Sequence, residues 1–301
     1  MGSQVLAGSV VRRRRAAAAA AALVLGGAVF MASGSRAAAS VTIGQLAPVN
    51  SPAFCTTSTD RFQTVVGSGA SYVVPGTGTI TSWSHNAGSN VGATLEMKIF
   101  RKVADPATYL VVGSDGPRAL TPSVLNIFPT SIPVKAGDVL GTNGASPASS
   151  ACFDQPSPGA VYLFRDGNLA DGEPGAFAQG SNTRLNVAAE FNPSNSFTLG
   201  KTTRSKKKGT ATLRVVVPNP GELTASGKGV KSAAAGAVIS KTVTAAGEVK
   251  LTIRAKGKKK RKLKRKGKVK LGVNVTYTPT GGDTSTQATK VKLKKKRKKK
   301  S

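Results

Sequence analysis

In the last third of the chain, apolar residues recur at every second position through some of its most lysine-rich segments. Leu213, Val215 and Val217 interleave with Thr212, Arg214 and Val216, and Val249, Leu251 and Ile253 with Lys250, Thr252 and Arg254. Val269, Leu271, Val273, Val275 and Tyr277 do the same with Lys268, Lys270, Gly272, Asn274 and Thr276, and Val291 and Leu293 continue the pattern. A period of two sorts side chains onto the two faces of a β-strand, so each segment reads as a half-buried strand with lysine on its wet face. Without alternation, such blocks of like charge would read as a solvated, disordered tail. Turn signals at Pro218-Asn219-Pro220-Gly221, Ala245-Ala246-Gly247 and Thr280-Gly281-Gly282-Asp283 separate the strands.

About seven strands in this length suit an immunoglobulin-like sandwich without an internal disulfide. Residues 41–191 carry a different signature. Aromatic and β-branched runs at 61–66, 71–74, 78–85, 93–103, 109–112, 138–142, 161–164 and 184–191 are broken by Gly, Pro, Asn and Ser, the spacing of a larger antiparallel sandwich. In the longest run Leu95, Met97 and Ile99 share one face and Glu96, Lys98 and Phe100 the other, so one face is expected inside and the other wet or covered. Residues 132–141, Ile-Pro-Val-Lys-Ala-Gly-Asp-Val-Leu-Gly, resemble the strand-turn-strand pattern of bacterial jelly-roll modules. The expected fold is therefore all-β: a jelly-roll-like β-sandwich over 41–191, a linker at 192–196, a smaller basic Ig-like β-sandwich over 197–293 and a basic tail over 294–301.

Charge divides the chain along the same lines. Residues 1–39 hold five arginines and no acid, 40–200 hold eight basic and ten acidic residues, and 201–301 hold thirty-one and three, so +28 of the formal +31 lies in the last segment. Four arginines at 12–15, an apolar stretch at 16–31 and Ala37-Ala38-Ala39 predict a secretory signal peptide over 1–39, cut near Ser40. The stretch is short and rich in Ala and Gly, below the ~20 strongly apolar residues of a comfortable span. The mature chain is expected to be secreted, extracellular or wall-associated, with no membrane span. In that oxidising setting the only two cysteines, Cys55 and Cys152, are expected to form one disulfide.

Few residues offer chemistry. His85, the only histidine, would have to serve any Ser/His/Asp triad, but no G-x-S-x-G elbow accompanies it. It is expected to be solvated, where a strand enters the Asn86-Ala87-Gly88 turn. Zinc lacks a convergent set of ligands. Residues 166–173, Asp-Gly-Asn-Leu-Ala-Asp-Gly-Glu, gather oxygens as a calcium loop does, yet the fifth position is Ala170 and the glycine comes one residue late. Two Asp-Gly turns account for the same letters. Trp83, Tyr72, Tyr109 and Tyr162 are the only candidates for stacking on a carbohydrate, and most of them are expected to be core or cross-strand partners. No catalytic residue, metal ligand or cofactor is assigned.

Gly209-Thr210-Ala211-Thr212-Leu213, the Pro-Gly turn, Ser226-Gly227-Lys228-Gly229-Val230, Lys266-Gly267-Lys268-Val269 and Tyr277-Thr278-Pro279-Thr280-Gly281-Gly282 together resemble a lysine-rich Ig-like module. Such modules recur at the C-terminus of secreted proteins of high-GC actinobacteria, and the first domain resembles one common in those proteins. The resemblance implies an extracellular, non-catalytic architecture and carries over no functional residue.

Two basic runs are the candidate polyanion-binding residues: Lys258, Lys259, Lys260, Arg261, Lys262, Lys264, Arg265 and Lys266, read as an inter-strand crossing, and Lys294, Lys295, Lys296 and Arg297, which open the terminal tail. Dense lysine holds a polyanion by counterion release. Outside an actinobacterial cell the first such partner is the anionic cell-wall polymer. Nucleic acid satisfies the same electrostatics, but after Phe197 the only aromatic is Tyr277, which the alternation places inside. A bias to Lys over Arg also suits diffuse contact better than bidentate recognition. The expected function is a non-enzymatic surface protein held to wall polymers or other extracellular polyanions by its basic module, with a first sandwich open to carbohydrate. The rivals are a secreted hydrolase with its site in the first domain and an extracellular nucleic-acid binder.

Overall fold

The computed structural model describes residues 40–51, 53–54, 57–144, 150–231 and 239–296. Residues 1–39, where a signal peptide is expected, Cys55 and the run from Arg297 lie outside the described residues. Strands make up nearly all the regular structure. The first group comprises β1 (Val41–Gln45), β2 (Ala53–Phe54), β3 (Thr59–Val65), β4 (Gly78–Asn86), β5 (Thr94–Ala104), β6 (Thr108–Ala119) and β7 (Leu125–Val134). It continues with β8 (Val139–Gly144), β9 (Ser150–Asp154), β10 (Val161–Asp166), β11 (Pro174–Ala176), β12 (Ala178–Ser181), β13 (Arg184–Leu185) and β14 (Val187–Pro193). The second group comprises β15 (Thr198–Ser205), β16 (Thr210–Val217), β17 (Gly221–Ser226), β18 (Ile239–Val243), β19 (Gly247–Ile253), α1 (Gly257–Lys266), β20 (Lys268–Pro279) and β21 (Ser285–Lys294).

The described residues form one compact unit with two hydrophobic cores, the first running from Ile43 to Phe191 and the second from Phe197 to Leu293. The first core lies between a four-stranded sheet, β1-β14-β4-β7, and a seven-stranded one, β11-β6-β5-β8-β3-β10-β12. Gly113 of β6 marks the contact: a Cβ there would sit 2.9 Å from Ile132 Cγ2 of β7. Gly113 pairs with Ile99, so Leu95, Met97 and Ile99 face the four-stranded sheet.

The opposite face of β5 is covered rather than wet. Phe62 and Phe100 stack with ring centroids 4.6 Å apart, and Tyr109 and Phe177 pack against Phe62. Beside them lies Lys98, whose side chain is fully out of water and 2.9 Å from the equally buried Asp60. The loop after β10 roofs this pair: Leu169 N–H donates to Asp60 Oδ2 at 2.9 Å, and Lys98 Nζ donates to Leu169 O at 2.6 Å and to Asn168 Oδ1. A buried charge is tolerated only when paired and hydrogen-bonded, and the loop supplies what the ion pair alone leaves unmet.

Two expected strands differ in extent. Residues 71–74 form no ladder beyond a bridge between Val73 and Val139, although Gly44 and Leu140 donate to their carbonyls. The 184–191 run is broken at Asn186, because that side chain bonds three separate segments. It accepts from Ala47 N–H at 2.9 Å and donates to Asn86 O at 2.7 Å and Ala151 O at 2.6 Å.

The second core follows the alternation closely. Sheets β15-β16-β19 and β18-β17-β20-β21 bury Leu213, Val215 and Val217, Leu251 and Ile253, and Val269 through Tyr277 at every other position. Arg214, Lys250, Lys268 and Lys270 point to solvent. The turn at Asn219 ties this sandwich to the first. Its Oδ1 accepts from Thr77 N–H at 2.7 Å, and its Nδ2 donates to Thr77 O at 2.8 Å and Ser194 O at 3.0 Å. Asn219→Ala removes all three bonds at a buried position and is expected to cost roughly 2–3 kcal/mol at about 1 kcal/mol each, read from urea unfolding of the full chain.

Candidate polyanion-binding pole

The first basic run is not an irregular crossing: Lys258, Lys259, Lys260, Arg261, Lys262, Lys264, Arg265 and Lys266 all lie on helix α1. Straight-chain Lys, Arg and Leu lose little rotamer freedom in a helix. Like charges three and four apart oppose it, so the helix depends on anchors. Leu263 is buried in the second core, and Gly267 closes the end in a left-handed conformation, φ 69°, donating its N–H to Leu263 O. Lys264, Arg265 and Lys266 occupy the last turn, where the helix dipole favours cations. All the cations of the run are exposed except the half-buried Lys259.

Helix α1 forms one wall of a cleft of about 480 Å³. Lys260 and Lys264, one turn apart, line it from the helix, with Leu263 at its floor. The β15–β16 turn contributes Lys207 and Lys208, the segments after β17 and β19 contribute Lys231 and Arg254, and Lys295 closes the rim. Seven cations thus converge, and no acidic side chain lines the cleft among the described residues. Main-chain bonds join the walls: Lys231 N–H to Arg254 O and Lys295 N–H to Gly267 O, both 2.8 Å, and Lys296 N–H to Lys206 O at 3.0 Å. Gly209, at φ 70°, allows the close approach, since a Cβ there would lie 3.1 Å from Lys295 Cδ. Of the second basic run, Lys294 and Lys295 are half-buried and Lys296 is exposed, while Arg297 lies outside the described residues.

Register shows where the negative charge went. Glu222 lies opposite Thr278, near the far end of β20, Glu248 opposite Val216 beside the start of β19, and Asp283 in the β20–β21 turn. These are the only three acids after residue 200, and all sit at the end that meets the first sandwich. Glu222 accepts from Ser240 Oγ at 2.6 Å, and Glu248 pairs with Arg214 at 2.9 Å. The cleft lies at the other end, where Lys268 opens β20 opposite Lys294. At about 3.3 Å per residue, β20 separates the two ends by roughly 35 Å. The second sandwich is therefore electrically polarised along its strands, with its acids at the end that meets the first sandwich and its densest cluster of cations at the other.

In the first sandwich, His85 is wholly buried and not solvated. Its Nδ1 lies 2.6 Å from Asn186 O, while Nε2 has no hydrogen-bond partner among the described residues. A triad needs Nε2 on the nucleophile and Nδ1 on a carboxylate, and neither is in place. Desolvation, partly opposed by the Asn186 carbonyl, lowers the His85 pKa to about 4. Because the unfolded chain takes up this proton at about pH 6.5 and the folded one does not, the stabilisation is present above pH 6.5 and is lost as pH falls toward 4, by about 3 kcal/mol. The difference in stability between wild type and His85→Gln is expected to shrink across that window in urea titrations.

Trp83, Tyr72 and Tyr109 are buried too, and Tyr162 is half-buried against Phe153 and Phe164. Three of the four candidate rings are thus core residues, as expected of most of them; Trp83 donates its N–H to Asp115 at 2.5 Å. The 166–173 loop turns Asn168 and Leu169 inward onto Lys98 and Asp60, and Glu173 accepts from Ala170 N–H at 2.9 Å. No three metal-ligating side chains converge among the described residues.

Lys207, Lys208, Lys231 and Arg254 were not among the residues expected at the site. The Lys206-Lys207-Lys208-Gly209 run is a sequence signal that could have pointed to the first two, but its convergence with the helix depends on strand register. No helix among the described residues is long and apolar enough to cross a membrane. No protein-family model, curated protein or solved structure matches the chain.

Proposed function

We propose that this is an exported, non-catalytic surface protein whose second sandwich attaches electrostatically to anionic cell-wall polymers and holds the first sandwich outward. The observation that carries this reading is the segregation of charge: seven cations around one acid-free cleft, at the pole remote from the first sandwich, with the few acids at the junction. A polymer of repeated phosphates or carboxylates lying across that pole gains by counterion release, and the geometry keeps the near-neutral sandwich clear of it. The cleft lining contains no aromatic ring, which favours a charged polymer over single-stranded nucleic acid.

The finer fold belongs to the same proposal. Counting only β1, β3–β8 and β14, the first two sheets run first-eighth-third-sixth and second-seventh-fourth-fifth, an order that supports a jelly-roll-like reading. In the second sandwich the first, second and fifth strands share one sheet and the fourth, third, sixth and seventh the other, which supports an Ig-like one. A Cys55–Cys152 disulfide is part of the reading. It is supported by the pairing of β2 with β9 and by the lack of any free cysteine among the described residues. Its loss is expected to cost about 2–4 kcal/mol.

The test is co-sedimentation of the full mature chain with purified actinobacterial walls, before and after removal of their anionic polymers. Binding that disappears on stripping supports attachment through the polymer, while equal binding to stripped walls or none to either rejects it.

A further inference from the structure

Among the described residues Lys98 is the only buried lysine, and its surroundings do more than neutralise it. Nζ lies 2.9 Å from Asp60 Oδ1 and 3.9 Å from Glu96 Oε2, and it donates to Leu169 O and to Asn168 Oδ1. The Asn168 carboxamide is held at both ends, because its Nδ2 donates to Glu96 Oε2 at 3.1 Å. An amine thus touches an amide carbonyl whose nitrogen rests on a carboxyl group, beside a second carboxylate able to take up the proton of the amine. Register explains the convergence. Glu96, Asn143 and Asp60 stand in one row across β5, β8 and β3, and Lys98 starts one step along, opposite Gly141, where no side chain blocks its path toward β3.

We infer that Lys98 and Asn168 join in an intramolecular isopeptide bond. Lys98 passes a proton to Asp60, and the neutral Nζ attacks Asn168 Cγ. Glu96 takes the proton that the attacking nitrogen sheds and passes it to Nδ2 as the Cγ–Nδ2 bond breaks. Ammonia leaves and takes up the proton held on Asp60. A charged lysine and an asparagine become a secondary amide and an ammonium ion, with no other reactant. Holding amine and amide in contact replaces a bimolecular encounter by an effectively unimolecular one.

Asn168 is the acceptor rather than Asp60 for two reasons. Asp60 already accepts from Lys98, from Asn143 Nδ2 at 2.7 Å and from Leu169 N–H, and a carboxylate so engaged is the poorer electrophile. Asn168 is exposed at the loop surface, so ammonia departs into solvent while the amine stays shielded. The bond ties β5 to the loop after β10 across β8 and β3, closing a covalent ring over four strands of the seven-stranded sheet. A sandwich held away from a cell surface gains resistance to pulling and to proteolysis from such a clamp.

The experiment is peptide mapping of the reduced full chain by mass spectrometry. The expected result is a linked pair of peptides containing Lys98 and Asn168, lighter than their sum by one ammonia. Asn168→Ala, a change at an exposed loop position, leaves the fold intact and Lys98 unlinked. Glu96→Gln slows joining by at least about a hundredfold, the lower end of what a positioned proton-transfer group contributes. Finding Lys98 and Asn168 in separate unmodified peptides of the wild type would overturn the proposal, and so would Lys98 joined to Asp60 with loss of water.

Discussion

Replacing Lys207, Lys208, Lys260 and Lys264 together by glutamine is expected to weaken binding of the full chain to an anionic wall polymer about a hundredfold at about 0.15 M salt. The magnitude follows from counterion release. With about 0.7 of a counterion freed per contact, four lost contacts remove roughly 3 from the slope of log affinity against log salt, and about two decades of affinity at that salt. All four side chains are exposed, so the fold survives the change. The control removes the same charge elsewhere, from Lys201, Lys241, Lys250 and Lys290, none of which lines the cleft. At this ionic strength charges beyond about 8 Å are largely screened, and the control is expected to lose less than about fivefold. Equal losses in both sets would mean a diffuse coat with no defined site.

With Lys98 unlinked, as in the Asn168→Ala chain, Lys98→Ala is expected to destabilise the first sandwich by about 3–5 kcal/mol, the cost of leaving one member of a buried pair uncompensated. Asp60 would keep its bonds from Asn143 and Leu169 but lose its cation, and the loop after β10 would lose the bond from Lys98 Nζ to Leu169 O. Asp60→Ala is expected to cost a similar amount, and the double replacement clearly less than the sum, because each single change leaves the other charge stranded. Urea midpoints at unchanged m-value give both numbers. A loss below about 1 kcal/mol for Lys98→Ala would show that the amine reaches water.

The strands of the second sandwich were legible because each apolar position in Val269 to Tyr277 faces one core, and lysine on the other face costs nothing in water. Helix α1 was not legible, since its run contains one apolar residue, Leu263, and a single anchor has no period. The cleft was half visible. Lys260, Lys264 and Lys295 stood in conspicuous runs, whereas Lys231 and Arg254 are isolated in sequence and meet only through the bridge of Val230 with Ala255. His85 was misplaced for a related reason: a strand end before Asn-Ala-Gly reads as open, but Asn186, a hundred residues away, folds back to cover it. The 166–173 loop drew attention for its clustered oxygens, while the residues that reach the buried Lys98–Asp60 pair are Asn168 and Leu169. Nothing local distinguishes those two from ordinary turn residues.

The most direct test of the attachment proposed here is the affinity of the full mature chain for a purified anionic wall polymer across a salt series, alongside the same polymer with its charges removed. Seven cations at about 0.7 each predict a slope near −5 and no binding to the neutral polymer. A slope near zero, or equal affinity for the neutral polymer, would contradict electrostatic attachment through the basic pole.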